Sequence, residues 1–140
     1  MYSIRDQCMS NEIIKKIREK ETKRQKLMLS LLDRKEMVRG SFCQIHVKCG
    51  TKSCWCNAKR LGHPHKRMSW HEKGKSFSRA VPKEDYQWIE EMTNHFREFR
   101  KAKKEIVKLE KEIKVLLNEY EESILESTKK GRPYLEVWNH

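Results

Sequence analysis

Cys49, Cys54, Cys56, His63 and His65 fall within one 17-residue stretch, and thiolates and imidazoles at that density point to a transition metal. Zinc (Zn2+) held by sulfur and nitrogen is tetrahedral, so the spacing Cys-x4-Cys-x-Cys-x6-His-x-His offers five donors for four places. Three cysteines and one histidine are the natural set, with either His63 or His65 as the fourth ligand. Gly50 lets the chain turn tightly after the first cysteine, and Gly62 and Pro64 around His63 are expected to break regular structure.

The competing use of these thiols is a pair of disulfides, which needs an oxidising compartment. The start, Met1-Tyr2-Ser3-Ile4-Arg5-Asp6, has no secretory apolar run, so a cytoplasmic protein with reduced cysteines is expected. Cys54 and Cys56, one residue apart, would make a strained disulfide, whereas both can address one ion. Cys8 and Cys43 lie outside the cluster, and Cys43, in a strand pattern, reads as a small core residue.

Three elements must position the cluster. A helix is expected from about Ser10 to Val38, capped by Ser10 or Asn11 and stopped by Arg39-Gly40, with residues 1–40 as its segment. Its middle, Arg18 to Lys26, has no apolar residue and reads as a solvated, mostly basic stretch. Residues 41–81 read as the zinc-binding β module: a strand through Phe42, Cys43, Ile45 and Val47, then a hairpin of Met68–His71 and Ser76–Val81 turning at Gly74. Three short strands bury too little alone, so the module should need its metal. From Pro82 a helix of about 45 residues is expected, with residues 82–128 as a coiled-coil segment and 129–140 as a basic tail. Its apolar series is Ile89, Met92, Phe96, Phe99, Ala102, Ile106, Leu109, Ile113, Leu116, Tyr120 and Ile124. The expected fold is thus α+β, two long helices forming an antiparallel coiled-coil hairpin that flanks a small zinc-bound three-stranded module. A distal end is left free for a partner protein or a second copy of the chain.

The formal net charge of +12 and 37% charged residues favour a polyanion over a membrane surface. No apolar run approaches the roughly 20 residues that span a bilayer. Lys52, Lys59, Arg60, Lys66, Arg67, Lys75 and Arg79 crowd the metal loop and hairpin, with Trp55 and Trp70 among them. That mixture suits a phosphate backbone with a few stacking contacts, Trp55 being the surface tryptophan and Trp70 the packed one. Lys130 and Arg132, in Lys129-Lys130-Gly131-Arg132-Pro133, resemble a minor-groove arm. The plainer reading of that tail is a helix stop at Gly131 and a strand from Tyr134 to Trp138. No glycine-rich phosphate loop, nucleophile elbow or His-Glu-x-x-His pattern is present, so no catalytic site is expected.

Val47-Lys48-Cys49-Gly50, Cys54-x-Cys56, the histidine beside glycine and proline, Ser69-Trp70, Gly74-Lys75 and Val81-Pro82-Lys83-Glu84 together resemble an uncharacterised family of small cysteine-rich proteins of bacteria, archaea and mobile elements. The likeness covers about residues 38 to 115 and implies fold more than role, with Cys49, Cys54 and Cys56 at the family's cysteine positions. Where the family tends to show His-Gly-Pro and aromatics, this chain has Gly62-His63-Pro64-His65-Lys66-Arg67, a change that favours a polyanion surface. The resulting expectation is a zinc-stabilised accessory protein that binds double-stranded DNA and regulates site-specific recombination or transcription. It would engage a larger protein, a recombinase for example, through the coiled coil. Its competitors are a coiled-coil adaptor without DNA affinity and an RNA-binding protein.

Overall fold

The computed structural model describes residues 4–136, with side chains from Cys8 onward. In chain order the elements are α1 (Ile4–Leu31), β1 (Ser41–Val47), β2 (His63–Glu72), β3 (Lys75–Ala80) and α2 (Tyr86–Lys129), with 3-10 turns at Trp55–Ala58, Lys83–Asp85 and Pro133–Leu135. The chain forms two compact units, residues 34–101 and a helical unit made of residues up to 33 together with those from 102. Among the described residues no helix is long and apolar enough to cross a membrane.

α1 departs from the expected bounds at both ends. Ser10 and Asn11 lie inside it rather than capping it, and it stops at Leu31, well short of Val38. The stop is made by backbone: Leu32 N–H donates to Met28 O (3.1 Å), Asp33 N–H to Ser30 O (3.4 Å), and Arg34 takes a left-handed φ of 50° that ends helical propagation. Residues 34–38 instead run beside α2, where Val38 N–H donates to Met92 O (3.1 Å) and His95 Nδ1 donates to Glu36 O (2.8 Å). Arg39-Gly40 therefore leads into β1 and does not end a helix.

The sheet has the order β1-β2-β3 with both pairs antiparallel. β1 meets β2 in the register Val47↔His63, Ile45↔His65 and Cys43↔Arg67. The β2–β3 connection is the two-residue turn Lys73-Gly74, at φ 51° and 78°, the left-handed pair that closes a right-twisted hairpin. His63, Pro64 and His65 are in β2, not in a break. β3 pairs β2 only from Arg67 onward, so β2 is an edge strand at Pro64, and the missing N–H costs no ladder bond.

Period-two alternation gives this sheet two different faces. Phe42, Met68, Trp70 and Phe77 share one, where Phe42 meets Tyr86 of α2 (ring centroids 5.6 Å) and Trp70 stacks on Phe77 (5.3 Å). Cys43 lies on the other face beside Ile45 and Val47 and is exposed, so it is not the core residue the strand pattern suggested. The buried side chains of this unit are Cys56, Ile89, Met92 and Thr93, of which Cys56 and Thr93 are fully enclosed.

In the helical unit, Ser10 Oγ meets Ser123 Oγ at 2.8 Å, Lys20 Nζ donates to Glu112 at 2.7 Å and Lys23 Nζ to Glu105 at 3.4 Å, so partners on α2 fall in number as those on α1 rise. The Arg18–Lys26 stretch is accordingly not solvated all round: Lys20, Glu21 and Arg24 are half-buried. Their charges are paired. Hydrogen bonds from Arg24 hold the Glu21 carboxyl below its ordinary range, and those from Lys20 do the same to Glu112. Ile106 and Leu109 are buried, whereas Ile124, the last member of the apolar series, is 44% exposed. Gly131 (φ 78°) follows the end of α2. A 3-10 turn at Pro133–Leu135 stands where a strand was expected, and Val137 and Trp138 lie outside the described residues.

Candidate metal centre

The β1–β2 ladder brings the two ends of a long loop together. Cys49 sits two residues past β1, His63 opens β2 opposite Val47, and Cys54 and Cys56 come from the loop between them. Gly62 is buried because Val47 and Lys48 pass directly over it; a Cβ there would lie 2.5 Å from Lys48 N and collide with the Val47 carbonyl. No residue with a side chain permits that approach.

Inside the loop the backbone is tied to itself. Cys54 N–H donates to Thr51 O (3.1 Å), Asn57 N–H to Cys54 O (3.3 Å) and Lys59 N–H to Cys56 O (3.3 Å). Asn57 Nδ2 adds bonds to Thr51 O (2.7 Å) and Lys52 O (3.0 Å). Lys48 reaches in from the end of β1 and donates to Cys56 O (2.8 Å) and Lys59 O (2.7 Å). Lys48, Thr51 and Asn57 hold the loop without being among the expected site residues. For Thr51 and Asn57 the available signal was the habit of short polar side chains in turns, which bond local backbone; the reach of Lys48 had no local signal.

The result is a four-donor group. One ligand atom from each of Cys49, Cys54, Cys56 and His63 lies within 4.8 Å of all the others. Cys49 Sγ and Cys56 Sγ are 3.7 Å apart, and Cys54 Sγ is 3.1 Å from His63 Nε2. Two sulfurs on a tetrahedral ion with bonds near ~2.3 Å are separated by about 3.8 Å, so the donor set fits a metal of that size. His65 stands outside the group. It shares a strand face with His63, yet its imidazole is not among the donors that converge there.

The thiols are electrostatically uneven. Cys49 is lowered to about 6, first by the backbone N–H of Thr51, then by the Thr51 hydroxyl, Cys54 and His63. Cys54 moves upward: the Cys56 amide pulls it down, but burial and the adjacent Cys49 and Cys56 thiols outweigh that pull. Crowded sulfurs resist carrying several negative charges together, and a bound cation relieves the conflict. Trp55, 54% exposed, meets the His63 ring edge-on with centroids 4.6 Å apart.

The expected phosphate contacts do not form a single patch. Lys52, Lys59 and Arg60 are exposed on the metal loop beside Trp55. Arg67 is half-buried and donates to Ser78 Oγ (2.9 Å) on the open sheet face. Lys66, Lys75 and Arg79 belong to the opposite face, with Lys66 5.0 Å over the Tyr86 ring. Arg132 donates to Tyr134 Oη (3.3 Å); Lys130 is in the helical unit.

Fold and site together define a small class: a three-stranded antiparallel sheet, preceded and followed by helices, with a Cys3His donor cluster where β1 joins β2. The chain belongs to the family described as Domain of unknown function (DUF6788), matched over residues 11–91. That span takes in most of α1, the cluster, the sheet and the first residues of α2, whereas the motifs placed the likeness at about 38 to 115. No curated protein and no solved structure matches the chain.

Proposed function

We propose that Cys49, Cys54, Cys56 and His63 hold a zinc ion as a structural clamp, and that the clamped module binds double-stranded DNA without catalysing a reaction. The observation that carries this reading is the closed donor set, since four protein ligands leave a tetrahedral ion no open position for substrate or activated water. The ion would supply the cross-link that a three-stranded unit with so few buried side chains lacks.

The DNA half of the reading is supported by charge placed in a rigid frame. Residues 41–81 hold nine Lys and Arg and a single acid, Glu72, which accounts for eight of the twelve net positive charges. Lys52, Lys59 and Arg60, held on the clamped loop with exposed Trp55, make the contact surface. Phosphate contacts of this kind fix position and orientation on a duplex and release counterions on binding.

The test uses the full chain purified without a chelating tag. Elemental analysis is expected to give one zinc per chain, and fluorescence anisotropy with a labelled duplex should show affinity that falls steeply with salt and drops on chelation. Absence of duplex affinity, or affinity indifferent to salt, would overturn the DNA assignment. Stronger competition by RNA than by the duplex would transfer it to RNA.

A further inference from the structure

The seam of α2 in the helical unit steps by three and four through Ile106, Leu109, Ile113, Leu116 and Tyr120, and the next positions in that series are Ser123 and Ser127. Both serines are half-buried. Ser127 Oγ donates to Ile124 O (3.0 Å) in its own helix, so it fills no space toward α1. Small side chains where the repeat asks for large ones leave the seam underpacked. A groove of about 600 Å3 opens there, with Met9 and Ile13 of α1 on one wall and Ser127 of α2 on the other. Met9 is 60% exposed.

The lip of this groove carries Glu119, Glu122 and Glu126, with Lys130 as its one cation among the described residues. Glu126 meets Lys129 at 3.8 Å. Three acids against one lysine leave the lip net negative on a chain of net charge +12, opposite in sign to the whole.

We propose that this groove docks a basic amphipathic helix of a partner protein. One large apolar side chain enters between Met9, Ile13 and Ser127, while lysines or arginines of the same helix pair with the three glutamates. The acids repel a nucleic-acid backbone. A second copy of the chain is a poorer occupant, because its most basic helical stretch, Arg97 to Lys104, has its apolar residues Phe99 and Ala102 already half-buried in its own fold. The inference does not depend on the metal or DNA assignments.

The test measures anisotropy of a labelled synthetic peptide with leucines at helical spacing and lysines elsewhere, and of a second peptide with glutamate in place of lysine. The wild-type chain should bind the first and not the second. Ser127→Leu fills the groove from within and should weaken binding roughly tenfold or more, the worth of one lost apolar anchor, while leaving thermal stability equal or higher. Glu119→Lys with Glu122→Lys should weaken it too, with a reduced salt dependence. Three results would overturn the proposal: no binding of the lysine peptide, undiminished binding by Ser127→Leu, or self-association of the chain that Ser127→Leu abolishes.

Discussion

If Cys49, Cys54, Cys56 and His63 hold an ion as proposed, withdrawing it should open the β1–β2 connection while sparing the helix beside it. Cys49 and His63 bound a segment of 15 residues. By analogy with a covalent cross-link across a loop of that length, the ion removes closure entropy equivalent to about 3 kcal/mol, roughly a hundredfold in the opening equilibrium. Little else can substitute, because between Cys49 and His63 only Cys56 and Gly62 are buried. The hydrogen bonds of the Cys54, Asn57 and Lys59 amides would then open with the loop. Native-state hydrogen exchange, read with and without a tight chelator, is expected to show those three amides losing about two orders of magnitude in protection, with far smaller losses at Ile89–Met92. Equal protection of the three amides in a chain shown to carry no metal would refute the reasoning.

Other outcomes follow from the same geometry. His63→Ala should abolish stoichiometric metal binding and His65→Ala should leave it intact, as read by elemental analysis; the reverse would reassign the fourth donor. Gly62→Ala must push Val47 and Lys48 away, and is expected to cost about 1–3 kcal/mol as overpacking does, together with weaker metal retention in chelator competition. In the metal-free chain the depressed Cys49 contributes stability that is complete above its ordinary value of 9.0 and is lost as pH falls through about 6. Alkylation followed by mass spectrometry should find Cys49 titrating near 6 and reacting ahead of Cys54, whose shift is upward. Replacing Lys52, Lys59 and Arg60 by alanine should flatten the slope of log affinity for duplex DNA against log salt by about 2.7, if each touches one phosphate. An unchanged slope would remove those side chains from the interface.

Local chemistry wrote much of this protein legibly into its sequence. The strand through Val47, the Gly74 turn, the helix entry at Pro82 and the membership of Cys49, Cys54 and Cys56 in one cluster all depend on neighbours within a few residues, so spacing and turn residues sufficed. Tertiary contacts were needed where two locally reasonable choices competed. His63 and His65 have equal chemistry and the same strand face, and only the Val47↔His63 register, enforced by the backbone crowding at Gly62, puts the first and not the second beside the sulfurs. The end of α1 at Leu31 was likewise hidden, because residues 34–38 satisfy their polar groups on α2 and no local signal announces that bond. Cys43 fell on the open sheet face for a similar reason: alternation gives the period of a strand, but which face is covered is decided by where Tyr86 lies. Sequence fixes what a short segment can do by itself, and the fold chooses among those options by deciding which distant groups stand within bonding distance.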